Sequence, residues 1–279
     1  MTPMHEKLIN VNDGVISCRK FGLGPTVIFI AGGPAAYGSL YENQLQELAD
    51  SHTILFWDYA GCGKSVTQRK LFSIQNDLDD LKCVINAENE PVILMGHSYG
   101  GLLAIKSAFE NLKAIKALVL INSMSSFSHA KQSMHEKQKR LIELGLLEEY
   151  LNLGGKIFSE QANAYEMSRF WKIEAMLQVR DIDWSSKVSS ELFTSFSAVL
   201  QMQQDLMNVD YSAELKSLKI PILITAGAFD LISLKRPHEM CSWLSNAEFH
   251  EYSKSGHMPF LEENKLFIEQ TSSWLRKIN

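Results

Sequence analysis

Short apolar runs rich in valine, isoleucine and leucine recur along this chain, and they constrain its fold more than any other feature. Runs of this kind are typical of strands that are buried on both faces, as in parallel sheets. Parallel strands need crossover connections, which helix-like segments between the runs supply. The alternation predicts a doubly wound α/β fold. The runs span 26–31, 53–58, 92–96, 117–122 and 220–226, and the helix-like segments span 39–49, 73–89 and 99–111.

The N-terminal segment carries a different strand signal. The segments 8–12 and 15–21 are both strand-like, and they flank the pair Asp13-Gly14. Because an Asp-Gly pair favours the two-residue turn of a hairpin, we expect the sheet to begin with antiparallel strands. A length of 279 residues suits one large α/β core with an insertion.

Composition narrows the class of protein. Hydrophobic residues make up 46% of the chain and charged residues 21%, which is ordinary for a globular protein that buries a core. There are 27 lysines and arginines against 32 aspartates and glutamates, so the formal charge is −5. An acidic chain repels phosphate backbones and anionic lipids, and we therefore expect neither nucleic acid nor a membrane as a partner.

The cysteines and the N-terminus indicate the compartment. The four cysteines are widely scattered and form no Cys-x-x-Cys pair, as expected for free thiols in a reducing environment. The first residues lack the basic start and the apolar stretch of a secretory signal. The longest uncharged segment, 21–41, contains glycines and prolines that rule out a membrane helix. These features predict a cytoplasmic protein.

The middle of the chain follows a different pattern. The alternation of strands and helices stops after Asn122 and resumes near Ile220, and the residues between them are helix-like throughout. We therefore divide the chain into a first core part (1–123), a helical cap insertion (124–214) and a second core part (215–279).

The cap segment is rich in leucines and aromatic residues. A single aromatic residue here is most simply explained by a small helical core, whereas together they favour a lid whose apolar underside faces a pocket on the sheet. Two sets recur at helical spacing, Leu141, Leu144, Leu147 and Leu151, then Phe193, Phe196, Leu200 and Met207. The other aromatic residues are Phe158, Tyr165, Phe170, Trp171 and Trp184.

The segment Gly96-His97-Ser98-Tyr99-Gly100-Gly101 carries the clearest chemical signal. It follows a strand-like run directly and precedes an apolar helix-like segment, which is the context required of a Gly-x-Ser-x-Gly nucleophile elbow. In such a turn the serine adopts a strained backbone conformation, and glycines are needed where the neighbouring backbone comes close. We therefore identify Ser98 as the candidate nucleophile, at the carboxyl end of the sheet.

A serine nucleophile needs a base and a group that orients the base. Asp230 follows the run 220–226 in the loop Gly227-Ala228-Phe229-Asp230, and His257 follows the strand-like segment 248–252. Both residues are thus expected at the edge of the sheet that carries Ser98. The order serine, aspartate, histidine is that of elbow-type hydrolases, so the three residues form a candidate catalytic triad.

Acyl transfer also needs donors for the oxyanion. The run 26–31 leads into Gly32-Gly33-Pro34 at the same edge of the sheet, and glycine lets the backbone approach a ligand closely. We assign the oxyanion donors to the amides of Gly33 and Tyr99, the latter being the residue after the nucleophile.

The segment 58–65 ends in Gly-Lys-Ser, as a phosphate-binding P-loop does. A P-loop needs a glycine five residues before Gly63, but Asp58 stands there and would bring a carboxylate to the phosphate. A nucleotide-binding switch is therefore disfavoured.

These motifs together resemble those of the α/β-hydrolase superfamily, and within it the proline iminopeptidase-like serine aminopeptidases. The resemblance spans nearly the whole chain. Four segments carry it, namely Ala31-Gly32-Gly33-Pro34, the loop 58–65 with its Asp-x-x-Gly-x-Gly-x-Ser pattern, the elbow 96–101, and Gly256-His257 with Pro259. It implies an eight-stranded sheet, a helical cap inserted after the sixth strand, no metal or organic cofactor, and hydrolysis through an acyl-enzyme.

The chain departs from that group at a few positions. Ala31 replaces the usual histidine of the first motif, Ala35 replaces its last glycine, and Tyr59-Ala60 stand where Gln-Arg is common. These changes leave the triad intact and bear on the subgroup and the substrate. Peptidases of the group hold the free amino terminus of the substrate with cap carboxylates, and three are available here, Glu166, Glu174 and Glu191.

The sequence therefore predicts a serine hydrolase that cleaves an ester or amide bond of a small molecule or short peptide. The main hypothesis is a proline iminopeptidase-like aminopeptidase, and an esterase or lactonase of the same fold is the alternative. A ligand-binding sensor on a hydrolase scaffold, with the cap as its moving part, is an alternative from a different class.

Overall fold

The computed structural model describes residues 5–34, 36–188, 201–202 and 205–278. Its centre is one sheet, to which each strand-like run of the sequence contributes. The strands are β1 (His5–Val11), β2 (Gly14–Gly22), β3 (Thr26–Ile30), β4 (Thr53–Trp57), β5 (Val66–Thr67), β6 (Val92–His97), β7 (Ile115–Ile121), β8 (Ile222–Gly227) and β9 (Ala247–Tyr252).

The sheet is mostly parallel. Eight strands follow the order β1-β2-β4-β3-β6-β7-β8-β9, and the two-residue strand β5 pairs with β2 beside this path. The hairpin β1–β2 and the pair β2–β4 are antiparallel, and all later neighbours in the path are parallel. The predicted antiparallel start and the α/β-hydrolase fold are thus confirmed, whereas the described residues form nine strands where eight are expected, because β5 adds a short strand beside β2.

The central strands are buried on both faces, as their unbroken apolar runs predict. Every residue of β4, β6 and β8 is buried, because helices cover the sheet on both sides. The parallel strands run in the same direction, so their carboxyl ends lie together along one edge of the sheet. The loops that follow β3, β6, β8 and β9 therefore share one region of the surface.

The helices begin and end close to the sequence boundaries, except near the N-terminus. The predicted helix 39–49 is a single helical turn between two 3-10 segments, Gly38–Tyr41 and Gln46–Asp50. The α-helices are α1 (Glu42–Leu45), α2 (Ile74–Asn86), α3 (Tyr99–Glu110), α4 (Ala130–Glu143), α5 (Leu147–Phe158), α6 (Ala164–Gln178), α7 (Ser212–Ser217), α8 (Arg236–Ser242), α9 (Pro259–Glu262) and α10 (Asn264–Lys277). Further 3-10 segments lie at Leu112–Ala114 and Ile182–Lys187.

The helices α4, α5 and α6 lie between β7 and β8 in the chain and have a small apolar core of their own. Its buried residues are Leu141, Leu153, Ile157, Phe170, Ile173 and Leu177. The leucine series of the sequence is not one helix, because Gly145 adopts a φ of 66° between α4 and α5. Leu141 is consequently buried, whereas Leu151 is exposed.

The cap aromatics occupy several environments. Phe158 and Tyr165 are exposed, whereas Phe170 packs in the cap core and Trp184 packs against the main core. Their arrangement thus gives no single apolar underside within the described residues. Phe193, Phe196 and Leu200 lie outside the described residues. In the part of the chain that the structure describes, no helix has the length and apolar character needed to span a membrane.

Candidate active site

Ser98 lies in a sharp turn between β6 and α3. Its φ is 51° and its ψ is −117°, a conformation that an L-amino acid adopts only under strain. Two glycines make the turn possible. A Cβ at Gly96 would lie 2.4 Å from the carbonyl oxygen of Gly100, and a Cβ at Gly100 would lie 2.2 Å from that of Ile30. The close approach of three backbone segments thus explains why the elbow needs glycine on both sides of the serine.

Asp230 and His257 lie in contact at the same edge of the sheet. The Nδ1 atom of His257 lies 2.9 Å from Oδ2 and 3.0 Å from Oδ1 of Asp230. Both side chains are buried. Because the carboxylate accepts the Nδ1 proton, it favours the tautomer in which Nε2 has a free lone pair, as a general base requires.

The carboxylate of Asp230 receives donors from several segments. The amides of Ile232 and Ser233 donate to Oδ1 over 2.8 and 3.2 Å, and the Ser233 hydroxyl and the Asn122 side chain donate to Oδ2. Burial opposes ionisation, but His257 and these hydrogen bonds outweigh it and lower the pKa of Asp230 to about 2. The aspartate is therefore ionised at neutral pH and held in one orientation.

No sequence motif identifies Asn122 as a site residue, although it is the last residue of the run 117–122. It has a φ of 44°, and its Nδ2 donates to Asp230 Oδ2 over 2.9 Å and to the Gly256 carbonyl over 3.0 Å. It thus ties the aspartate to the backbone that precedes His257. Its position directly after a buried strand, at the edge of the candidate site, was the signal available in the sequence.

Ser98 directly follows His97, whose ring lies 4.7 Å from the ring of His257. Within the described part of the chain, the Ser98 hydroxyl makes no hydrogen bond to the imidazole of His257 or to another residue. It is partly exposed. Catalytic hydrogen bonds are often long before substrate binds, so this geometry is compatible with a nucleophile and its base.

His97 connects the elbow to the loop of His257. The Nε2 atom of His97 lies 2.9 Å from the backbone oxygen of His257, and the two imidazole rings are 4.7 Å apart. Burial, with His257 as the second cause, lowers the pKa of His97 to about 3. His97 is therefore neutral, and Nε2–H is the donor. Its Nδ1 faces Gly32, where a Cβ would lie only 2.4 Å away.

Of the two residues assigned to the oxyanion hole, Tyr99 lies in the elbow and Gly33 lies in the loop after β3. Gly33 has a φ of 84°, and the space that a Cβ would occupy there is open. Tyr99 is the first residue of α3, so its amide has no partner within the helix. Among the described residues, the backbone N–H groups of Gly33 and Tyr99 donate no hydrogen bond. Both amides are thus available to a ligand.

Two buried tyrosines support these segments, and sequence reasoning missed both roles. The Tyr99 hydroxyl donates to Oδ2 of Asp77 in α2 over 2.8 Å, and burial raises the pKa of Asp77 to about 7. The Tyr59 hydroxyl donates to the Ala31 carbonyl over 3.1 Å, directly before Gly32-Gly33. The departures Ala31 and Tyr59 from the family pattern are therefore in contact with each other.

The P-loop-like segment is filled by its own aspartate. A Cβ at Gly63 would lie 2.2 Å from Oδ2 of Asp58, and the amides of Ser39 and Lys64 donate to the Asp58 carboxylate. This arrangement leaves the carboxylate where a phosphate would bind, in agreement with the sequence argument.

Two of the three cap carboxylates are paired with lysines. Glu174 is buried and lies 2.9 Å from Nζ of Lys137. Glu166 completes the capping box with Asn163 at the start of α6 and lies 2.5 Å from Lys156. Glu191 lies outside the described residues.

Comparison with known proteins identifies related sequences. Residues 25–264 match the sequence model of a family described as alpha/beta hydrolase fold. A proline iminopeptidase of Clostridium botulinum is 26% identical over 269 residues, which cover 90% of this chain and 89% of the relative. A proline iminopeptidase of Clostridioides difficile is 27% identical over 270 residues, and the match covers 89% of each chain.

Solved structures share the fold at lower sequence identity. A thermophilic esterase from Thermogutta terrifontis superposes with a TM-score of 0.77 at 17% identity, over 98% of this chain and 99% of the esterase. An esterase from Rhodococcus sp. ECU1013 gives a TM-score of 0.77 at 19% identity, over 100% of both chains. At this level of identity the likeness concerns the fold alone.

Proposed function

The chain belongs to the alpha/beta hydrolase fold family, and on this basis we propose that it is a serine hydrolase that acts through an acyl-enzyme. The family matches and the curated relatives establish a hydrolytic enzyme. The observation that carries the proposed mechanism is the buried Asp230–His257 pair beside a strained serine with two free amides. In this proposal Ser98, His257 and Asp230 form the triad.

The first half of the reaction forms the acyl-enzyme. Ser98 Oγ attacks the substrate carbonyl while Nε2 of His257 takes the hydroxyl proton. The resulting oxyanion accepts hydrogen bonds from the amides of Gly33 and Tyr99. Collapse of the tetrahedral intermediate breaks the bond to the leaving group, and His257 returns the proton to it.

The second half regenerates the enzyme. Water attacks the acyl carbonyl, and His257 takes its proton and then passes it to Ser98 Oγ as the acid leaves. Throughout, Asp230 stays ionised and stabilises the imidazolium. Its low pKa supports that role, because His257 and the hydrogen bonds from the Ser233 hydroxyl and the Ile232 amide outweigh the effect of burial.

The triad is tested with Ser98→Ala and with an active-site label. A fluorophosphonate is expected to modify Ser98 with loss of fluoride, and mass spectrometry of the labelled peptide locates the modification. Ser98→Ala is expected to lose labelling and turnover, whereas Ser217→Ala, which removes an exposed hydroxyl bonded to Glu214, is the matched control. Turnover of a p-nitrophenyl ester by Ser98→Ala at the wild-type rate would refute the assignment.

For the substrate, we propose an aminopeptidase that releases an N-terminal proline. The relatives named proline iminopeptidase, which match along nearly the whole chain, support this choice. Lysines already pair with Glu166 and Glu174, so neither of these cap glutamates is assigned to the substrate's amino terminus.

The pairing of Glu166 and Glu174 also favours a second candidate, an esterase or lactonase. A substrate without a free amino group needs no unpaired carboxylate in the cap. Prolyl p-nitroanilide and p-nitrophenyl butyrate, assayed side by side, separate the two candidates. A kcat/KM for the prolyl amide at least tenfold above that of its N-acetyl derivative supports the aminopeptidase, whereas turnover of the butyrate ester with no cleavage of either amide supports the esterase.

Rates also decide between an enzyme and a ligand-binding sensor on the same scaffold. A sensor is expected to turn over once, slowly, with a large rise in thermal stability on binding. We propose that the protein turns over a small molecule or short peptide rapidly and repeatedly. We also propose that the chain is divided into the core parts 1–123 and 215–279 and the cap 124–214. A cytoplasmic location is supported by the four cysteines, none of which forms a disulfide in the described part of the chain.

A further inference from the structure

The end of the cap helix α6 lies directly on the loop that carries His257. The amide of His257 donates to the carbonyl of Gln178, the last residue of α6, over 2.7 Å. A Cβ at Gly256 would lie 2.9 Å from both the Gln178 oxygen and the Arg180 nitrogen. The backbone of the cap and the backbone of the histidine loop are thus in contact, with no side chain between them.

One carboxylate joins the same two segments. Oε1 of Glu262 accepts from the amides of Arg180 and Asp181 over 2.8 and 3.4 Å. Oε2 of the same side chain accepts from the amide of Gly256 over 2.6 Å. Hydrogen bonds to a charged acceptor are roughly twice as strong as those between neutral groups, so this bridge is a strong constraint.

The segment after α6 is also anchored to the core. Val179 is extended and buried in the main core, not in the cap core. The Arg180 guanidinium lies 4.0 Å from the ring centroid of Phe229, directly before Asp230. The residues around the end of α6 therefore contact both the loop of Asp230 and the loop of His257.

We propose that Glu262 is a positioning residue that couples the cap to catalysis by fixing the end of α6 against the loop of His257. This inference rests on the proposed function, since it assigns His257 as the base. The orientation of the imidazole is then set from two sides, by Asp230 through Nδ1 and by the cap through the backbone. A displacement of the cap end is transmitted to His257, and small displacements of a catalytic group have large effects on rate.

Adjacent residues provide a matched pair of variants. Glu263 also supports the histidine loop, because its Oε2 accepts from the amide of Lys254 and the hydroxyl of Ser255 over 2.8 and 2.7 Å. It makes no hydrogen bond to the cap in the described part of the chain. Glu262→Gln has one acceptor oxygen and cannot serve both segments, whereas Glu263→Gln disturbs the histidine loop alone.

Hydrogen exchange of the resting protein measures the coupling without any substrate. Glu262→Gln is expected to raise amide exchange in both 179–183 and 253–257. Glu263→Gln is expected to raise it only in 253–257. Unchanged exchange at 179–183 in Glu262→Gln would overturn the inference, and it would do so whether or not the protein proves to be a hydrolase.

Kinetics with a small ester measures the consequence for His257. We expect kcat to fall about tenfold in Glu262→Gln and less than about threefold in Glu263→Gln, with KM nearly unchanged in both. Equal losses of kcat in the two variants would show that the loop matters and the cap contact does not. Absence of turnover in the wild type would instead refute the proposed function, and the exchange result would still stand.

Discussion

The imidazole of His97 is hydrogen bonded to the backbone of His257, 160 residues away in the sequence, with Nε2 and O 2.9 Å apart. From the sequence, a histidine inside the elbow is expected to pack or to hydrogen bond locally. The contact instead joins the turn of the candidate nucleophile to the loop of the candidate base. Because His97 is buried and neutral, it makes this link without adding a charge beside the reacting groups.

His97 is expected to make stability depend on acidity. In the unfolded chain it binds a proton below its ordinary pKa of 6.5, whereas in the folded protein it stays neutral down to about pH 3. The neutral imidazole therefore contributes its full stabilisation above pH 6.5. This stabilisation is lost as the pH falls toward 3, and the equilibrium constant for unfolding rises about tenfold per pH unit. Urea unfolding from pH 7 to 4 should show the gap between wild type and His97→Gln narrowing. A gap that is constant over this range would contradict the burial of a neutral imidazole.

Asp77 is expected to act in the opposite direction. Burial raises its folded pKa from 3.8 to about 7, so the folded protein binds a proton that the unfolded chain has already lost. The wild type should therefore lose stability as the pH rises from 4 to 7, and its equilibrium constant for unfolding should rise about tenfold per pH unit.

The test for Asp77 is the Asp77→Asn variant, which keeps an acceptor for the Tyr99 hydroxyl and removes the charge. Its stability relative to wild type should rise between pH 4 and 7 and level off above. Asp79→Asn, on the same helix but partly exposed, is the control and should show little change. A relative stability of Asp77→Asn that is flat with pH would rule out the shifted carboxyl.

Asp230→Asn should abolish most activity while leaving the substrate bound. The amide no longer selects the tautomer with a free Nε2 and no longer stabilises the imidazolium, so kcat should fall roughly 10³–10⁴-fold. Steady-state kinetics on p-nitrophenyl butyrate measures the loss, and circular dichroism checks the fold. A loss of kcat smaller than about tenfold would show that another residue, and not Asp230, orients His257.

Tyr59→Phe tests the support of the oxyanion loop. Removing the hydroxyl leaves the buried carbonyl of Ala31 without this donor, which costs about 1 kcal/mol of stability. Because Gly33 follows two residues later, we expect the oxyanion amide to be held less firmly and kcat to fall about fivefold. The exposed Tyr165 provides the control Tyr165→Phe, which should match the wild type in both kcat and urea midpoint.

The pattern of residues along the chain is enough to predict the sheet, the order of its central strands along the chain and the loops that carry the candidate triad. Apolar runs report burial on both faces, and the glycines around Ser98 report close backbone approach, so both signals are local in the chain. Even the break at Gly145 has a local signal, because a glycine interrupts the leucine series there.

Which distant groups meet depends on the folded arrangement and cannot be predicted from the local sequence. The pairs Asp77 and Tyr99, Tyr59 and Ala31, and Glu262 with the end of α6 each join segments whose own sequences carry no mark of the partner. Such contacts depend on how loops from different strands converge at one edge of the sheet, and the spacing of residues along the chain does not encode that convergence. The same holds for the cap glutamates, since neutralisation by a lysine depends on helix packing and not on the identity of the glutamate.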